Sequence, residues 1–244
     1  MRKVVTWFGR LDLVVLLTAL VILVGVWLFI AVAYGVSAGN TQRLDEGLLR
    51  SLRGPHAPED AWGPKWLEEV GRDLTALGGV AVLCLVTAAV AGYLLLCRKY
   101  RALGLLLVAT VGRVLLSTVL KDLFGRPRPT VVPHLSYVRS ASFPSGHSML
   151  SAVVYLTLGA LLARLVEQRR LKVYFLSVAL LLSFLVGVSR VYMGVHYPTD
   201  VLAGWSAGLA WGCSAAWERA GCSSTAPSRS RRRERPEAYR TQAR

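Results

Sequence analysis

Three short blocks, Lys121 to Pro129 (KDLFGRPRP), Pro144 to His147 (PSGH) and Ser189 to Asp200 (SRVYMGVHYPTD), gather almost every charged group in this 244-residue chain that could perform chemistry. Their residue types fit one task, holding and transferring a phosphoryl group. Such a group spreads negative charge over its equatorial oxygens during transfer. Catalysis then needs placed cations and amide donors, a nucleophile, and an acid for the leaving oxygen. Lys121, Arg128 and Arg190 supply three cations, and the planar fork of arginine grips two phosphate oxygens at once.

The second block contributes amides and an acid. Ser145 is a good helix N-cap, the free amides of a helix N-terminus form an anion site, and Gly146 lets the backbone approach closely. His147 then falls in the first turn, placed as general acid to the leaving oxygen. In the third block His196 and Asp200 are four residues apart around Pro198, which is favoured at a helix start. A pair at that spacing shares one helical face, so the carboxylate can take the proton of one imidazole nitrogen and aim the other outward. That makes His196 an oriented nucleophile, with Asp200 stabilising the imidazolium formed on phosphorylation. Arg126 and Ser148 are further candidates to touch phosphate. Arg139 and His134, between the first two blocks, are placed to border an entrance, while Tyr192 and Tyr197 read as packing or interface residues.

The scaffold that must position these groups is hydrophobic. The chain is 54% hydrophobic and 18% charged, with a mean hydropathy of +0.45, too apolar for a soluble globule of ordinary composition. Six apolar stretches approach the roughly 20 residues that cross a bilayer as a helix. They are Leu11 to Tyr34, Leu74 to Cys97, Ala102 to Leu120, Ser148 to Leu165, Val173 to Val191 and Val201 to Trp217. The expectation is an all-α, six-helix membrane bundle over residues 1–217, followed by a basic tail over 218–244 whose Ser, Pro and Arg composition predicts disorder. The first stretch exceeds a secretory h-region and lacks a convincing cleavage site, so it reads as a span rather than a signal peptide.

Charge orients the bundle. Arg2, Lys3 and Arg10 precede the first span, Arg98, Lys99 and Arg101 follow the second, and Arg164, Arg169, Arg170 and Lys172 follow the fourth. Together with the tail these are most of the 29 Lys and Arg, and the positive-inside rule makes that side cytoplasmic. Both termini then lie in the cytoplasm, and the three blocks meet at the outer ends of the last four spans. The net charge of +15 is topological or in the tail, so it signals orientation or contact with anionic lipid and not nucleic acid. The four cysteines lack metal-ligand spacing, and neither a disulfide, a metal nor a cofactor is expected.

The loop Gly35 to Asp73 is the sizeable extramembrane segment. Leu44, Leu48, Leu49 and Leu52 recur at helical spacing with Arg43, Asp45, Glu46, Arg50 and Arg53 between them, which predicts an amphipathic helix over Thr41 to Arg53. Glu59 to Val70, with Trp62 and Trp66, reads as a second interfacial piece. These helices either cap the bundle or border a lateral entrance for lipid. Gly78 and Gly79 read as a site of close helix packing. Arg113, inside the third span, either meets carbonyls or the membrane edge, or faces a polar cavity below the blocks.

The blocks resemble the three signature motifs of the type-2 phosphatidic acid phosphatase superfamily, K-x6-R-P, P-S-G-H and S-R-x5-H-x3-D, and all three are complete. Lys121, Arg128 and Pro129 match the first, Pro144 to His147 the second, and Ser189, Arg190, His196 and Asp200 the third. Arg72 to Gly79 (RDLTALGG) is similar to bacterial membrane members. The resemblance implies a six-helix core and metal-independent hydrolysis of a lipid phosphate or diphosphate through a phosphohistidine at His196, with His147 as acid. Undecaprenyl diphosphate, phosphatidylglycerophosphate, phosphatidate and lipid A phosphate are the substrates it suggests. A lipid phosphotransferase using the same phosphohistidine is the alternative. A vanadate-dependent haloperoxidase is disfavoured by the spans, and a transporter by the complete catalytic set.

Overall fold

The computed structural model describes residues 13–54, 60–136 and 140–224; residues 225–244 of the basic tail and Arg139 lie outside them, while 218–224 continue the last helix. Eight helices follow one another: α1 (Leu13–Ser37), α2 (Gln42–Ser51), α3 (Lys65–Leu77), α4 (Val80–Leu96), α5 (Tyr100–Phe124), α6 (Gly146–Leu165), α7 (Arg169–Tyr192) and α8 (Pro198–Ser224). Among the described residues there is no strand, only an isolated bridge between Arg53 and Ala61.

Helices α1, α5, α6 and α7 are each long and apolar enough to cross a membrane, and α3 with α4 make a fifth candidate, bent by 44° at their junction. The second predicted stretch is therefore interrupted by a bend. It breaks at Gly78 and Gly79, where the close packing expected of glycine is present at Gly78: a Cβ there would stand 2.2 Å from Val186 of α7. The second interfacial piece also differs from expectation, since its helix starts at Lys65 and runs on to Leu77. Trp62 and Trp66 remain exposed.

Helix α8 is not among the apolar candidates, and its place in the bundle explains why. It packs against α1 and α6 and also reaches α5 and α7. A helix surrounded by protein needs small residues for close approach more than it needs lipid-facing Leu and Val. Gly204 and Gly208, one turn apart, lie against the backbone of α6, where a Cβ would come within 2.6 Å of the Ser145 carbonyl and 2.9 Å of the Met149 carbonyl. Trp205 and Trp211 donate their indole N–H groups to Ser183 of α7 and Ala109 of α5, at 3.1 and 2.9 Å. In contrast α1 turns Leu16, Leu20, Leu23, Trp27 and Ile30 outward, as a lipid-facing helix does.

Helix α5 ends where the first block requires. Gly125 adopts a left-handed φ of 53° and its N–H returns to the Lys121 carbonyl, a glycine C-cap. Pro127 and Pro129 hold the following chain extended. At the other helix start, Ser145 caps α6 by accepting from the Ser148 N–H at 3.4 Å. A Gly204→Ala substitution should therefore push on the Ser145 carbonyl and cost about 1–3 kcal/mol, read as a lowered thermal unfolding midpoint of the purified protein in detergent.

Candidate active site

The C-terminal ends of α5 and α7 and the N-terminal ends of α6 and α8 meet at one end of the bundle, and their junction carries the three blocks. The second and third blocks are joined directly: the Ser145 N–H donates to the Asp200 carbonyl at 2.9 Å.

The start of α8 shapes the His–Asp pair. Pro198 takes the first helical position, and Asp200 reaches back to accept from the Tyr197 N–H at 2.9 Å, the return half of a capping box. The same oxygen, Oδ2, lies 3.4 Å from Nδ1 of His196 and accepts from the Ser142 hydroxyl. The Ser142 hydroxyl is itself 3.4 Å from Nδ1. Nε2 of His196 faces the other way, 3.1 Å from Nη1 of Arg128. A guanidinium only donates, so Nε2 accepts and the proton of the neutral ring sits on Nδ1. Nε2 is thus the nitrogen whose lone pair faces the cation cluster, where it accepts from Arg128.

Arg126 and Arg128, two positions apart on the R-P-R-P segment, send their guanidinium groups to opposite sides of the His–Asp pair. Arg128 goes to the front of the pair, donating also to the Val195 carbonyl at 2.6 Å and the Ser140 carbonyl at 2.8 Å. Arg126 goes to the rear. Its Nη1 donates to Asp200 Oδ1 at 2.7 Å and its Nη2 to Asp45 Oδ2 at 2.9 Å, while its guanidinium lies 4.2 Å above the Tyr197 ring. Arg126 therefore does not face a phosphate, contrary to the reading from sequence. Asp45 was also misplaced: it is fully buried, not on the polar face of α2.

Lys121 and Arg128 converge on Ser140, whose hydroxyl accepts from Lys121 Nζ at 2.9 Å and from Arg128 Nη2 at 3.3 Å. Gly146 lies beside the same ammonium, where a Cβ would be 3.8 Å from Nζ. Arg190 is 1% exposed and its Nε has no hydrogen-bond partner, a buried cation with donor capacity to spare. His147 lies within electrostatic reach of Arg190, His196, Lys121 and Arg128. All eight residues expected from the sequence, Lys121, Arg128, Ser145, Gly146, His147, Arg190, His196 and Asp200, stand at this junction.

The outer candidates resolve differently. Ser148 donates its hydroxyl to that of Ser145 at 2.9 Å, and Tyr197 is buried beside Leu49 and Val132. Tyr192 donates to the Trp62 carbonyl at 3.1 Å, and a His134 ring nitrogen lies 2.6 Å from the Pro129 carbonyl, so it pins its loop. Arg113 is buried in α5 with an unpartnered Nε. Sequence reasoning missed Ser142, which carries no motif signal, and the site role of Asp45. For Asp45 a signal existed, a carboxylate at helical spacing from Leu48, Leu49 and Leu52.

Electrostatics follow from burial. Burial pushes the His196 imidazole from 6.5 down to about 4, against the pull of Asp200, with Arg128 and Arg190 adding to the depression. Burial likewise lowers the Arg128 guanidinium, with Asp200 opposing it. Burial opposes charge on Arg126 too, but Asp200 and Asp45 outweigh it and raise its pKa. Among the described residues no cluster of His, Cys, Asp or Glu could hold a metal ion.

Such a site, an uncharged imidazole facing clustered cations at the end of a hydrophobic bundle, suits a membrane enzyme of phosphate esters. The model of the PAP2 superfamily matches residues 102–220. Phosphatidylglycerophosphatase B of Bacillus subtilis is 36% identical over 185 residues, covering 74% of this chain and 86% of that protein. Undecaprenyl-diphosphatase of Sulfolobus acidocaldarius is 31% identical over 125 residues, 49% of this chain and 56% of the relative. The crystal structure of the transmembrane PAP2-type phosphatidylglycerolphosphate phosphatase from Bacillus subtilis superposes with a TM-score of 0.72 at 29% identity, over 85% of this chain and 98% of that one. The chain belongs to the PAP2 superfamily and is a membrane lipid phosphatase.

Folding favours the neutral His196 ring. The associated stabilisation is complete above the ordinary pKa of 6.5 and is lost as pH falls toward 4. The acid limb of kcat/KM, which reports the free enzyme, should accordingly inflect near 4; an inflection near 6.5 would contradict the burial of His196.

Proposed function

We propose that this enzyme hydrolyses a lipid phosphate or diphosphate in two steps at His196. The observation that carries the reading is the orientation of His196: Nδ1 toward Asp200 at 3.4 Å, and Nε2 toward Arg128 at 3.1 Å. Nε2 attacks phosphorus while Lys121, Arg128, Arg190 and the amides after Ser145 take up the charge on the oxygens. The bond to the lipid oxygen breaks and His147 gives that oxygen a proton. Water then attacks the phosphohistidine, His147 takes its proton, and inorganic phosphate leaves with His196 restored. Asp200 stabilises the cationic ring in between. No step uses a metal or cofactor.

The substrate class we favour is the one named for the relatives, phosphatidylglycerophosphate, undecaprenyl diphosphate or lipid A phosphate, with phosphatidate as a further candidate. In the topology we favour, α3 with α4 is one span and α8 the sixth, with both termini cytoplasmic and the site at the outer, extracytoplasmic face. The positive-inside distribution supports it, as does the gathering of the site at the bundle end opposite Arg98, Lys99 and Arg169. The basic tail is assigned to the inner leaflet, where anionic lipid attracts it.

Purified enzyme should release stoichiometric inorganic phosphate from a panel of these lipids with EDTA present. His196→Ala should abolish both turnover and an acid-labile phosphoenzyme, and His147→Ala should slow poor leaving groups most. Transfer to another acceptor without phosphate release would favour the phosphotransferase alternative. Undiminished turnover in His196→Ala, or a strict need for a divalent metal, would sink the scheme.

A further inference from the structure

Helix α2 lies in the first extramembrane loop, far in sequence from every catalytic block, yet one of its side chains is among the most buried groups in the protein. Asp45 is 0% exposed, and each of its oxygens is engaged. Oδ1 accepts from the Thr199 N–H at 3.1 Å; Oδ2 accepts from the Thr199 hydroxyl at 2.6 Å and from Arg126 Nη2 at 2.9 Å. The Thr199 N–H belongs to the first turn of α8, one of the four a helix leaves unsatisfied. Asp45 thus caps α8 from another segment and places a negative charge at the positive end of its dipole.

The contact continues into the catalytic pair. Arg126 spans from Asp45 to Asp200 Oδ1 and donates to the Thr199 hydroxyl at 2.9 Å, with all four residues buried. Oδ1 of Asp200 is therefore tied to the rear, and Oδ2 is left for His196, Ser142 and the Tyr197 N–H. Charge matters as well as geometry. With Asp45 present the buried chain reads minus, plus, minus, leaving one net negative charge behind the imidazole. Without it Arg126 would neutralise Asp200, and the cationic ring of a phosphohistidine would lose its counterion.

We propose that Asp45, acting through Arg126, is a positioning residue for the reaction: it holds Asp200 in the rotamer that serves His196 and preserves the negative charge that the phosphorylated imidazole needs. α2 is on this view a built part of the active site, which neither a bundle cap nor an entrance border describes. Its exposed side, with Leu44 and Leu48 at 61% and 46% exposure, is free to rest on the membrane surface. The proposal rests on the phosphohistidine reading.

The test compares Asp45→Asn, Arg126→Met and the double variant, as full-length protein in detergent, with the lipid that wild type turns over fastest. Removing an outer group that orients an inner one costs on the order of 10- to 100-fold. Asp45→Asn should lower kcat by that amount with KM within about threefold. The acid limb should move in opposite directions, to lower pH in Asp45→Asn, which loses an anion, and to higher pH in Arg126→Met, which loses a cation. The charged or titratable groups facing His196 are Asp200 from α8, Arg128 from the segment after α5, Arg190 from α7 and His147 from α6, and all stay in place. Shifts of the same sign, or none, would overturn the proposal. Where a single variant fails to fold, the double removes both buried charges together, leaves neither unpaired, and should still show the fall in kcat. Wild-type kcat in the double would overturn the proposal alone, whereas turnover by His196→Ala in the same assay would overturn the nucleophile reading.

Discussion

A carboxylate sealed from water at the start of α8 organises this molecule. Asp200 is 0% exposed, and an isolated charge in that position would cost several kcal/mol. It is kept ionised by donors from four places: the Arg126 guanidinium, the Ser142 hydroxyl, the Tyr197 N–H and, on Nδ1, His196. Each donor belongs to a segment that must therefore stop at one point. The C-cap of α5 delivers Arg126, the loop ahead of α6 delivers Ser142, and the turn after α7 delivers His196. The Asp200 carbonyl then holds Ser145, so the anion site at the start of α6 is registered to the same residue.

The opposing charges explain why the site is electrically uneven. Behind the imidazole lie Asp200, Arg126 and Asp45; in front lie Lys121, Arg128 and Arg190, for which the described residues provide hydroxyls and carbonyls but no carboxylate ion pair. Three cations in a poorly solvated space repel one another, and the arrangement is stable only while the surrounding helices force them together. A phosphate group relieves that repulsion. Affinity for an anion is thus a property of the unliganded packing, and the hydroxyl of Ser140, shared by Lys121 and Arg128, offers the cations only a neutral dipole.

Legibility from sequence followed the range of the interaction. His196 with Asp200, and Ser145 with the start of α6, are local pairs governed by helix geometry, and reading them needs no tertiary knowledge. Pro127 and Pro129 likewise announce an extended segment. Asp45 and Arg126 are 81 positions apart, and nothing local says that they meet; only the oddity of an acid on the leucine stripe of α2 hinted at burial. Apolar patterning is plainest in α1, whose leucines face outward, and weaker in α8, read from sequence as the stretch Val201 to Trp217, whose neighbours are other helices and whose glycines matter for proximity.

That same distinction bears on how specificity can vary in such a fold. The chemistry is anchored at the ends of α5 to α8 by buried bonds between named side chains, so substitution there is penalised through both charge and packing. The surface a lipid would meet is different in kind. Leu44, Leu48, Trp62 and Trp66 are exposed, and beside them Arg53 and Ala61 pair in an isolated bridge. Exchanges at those exposed positions leave the buried Asp45 to Asp200 chain intact. On the short helix α2 itself, Leu44 and Leu48 are exposed while Asp45 is buried, so the outer positions of that helix can vary without removing the carboxylate that meets Arg126.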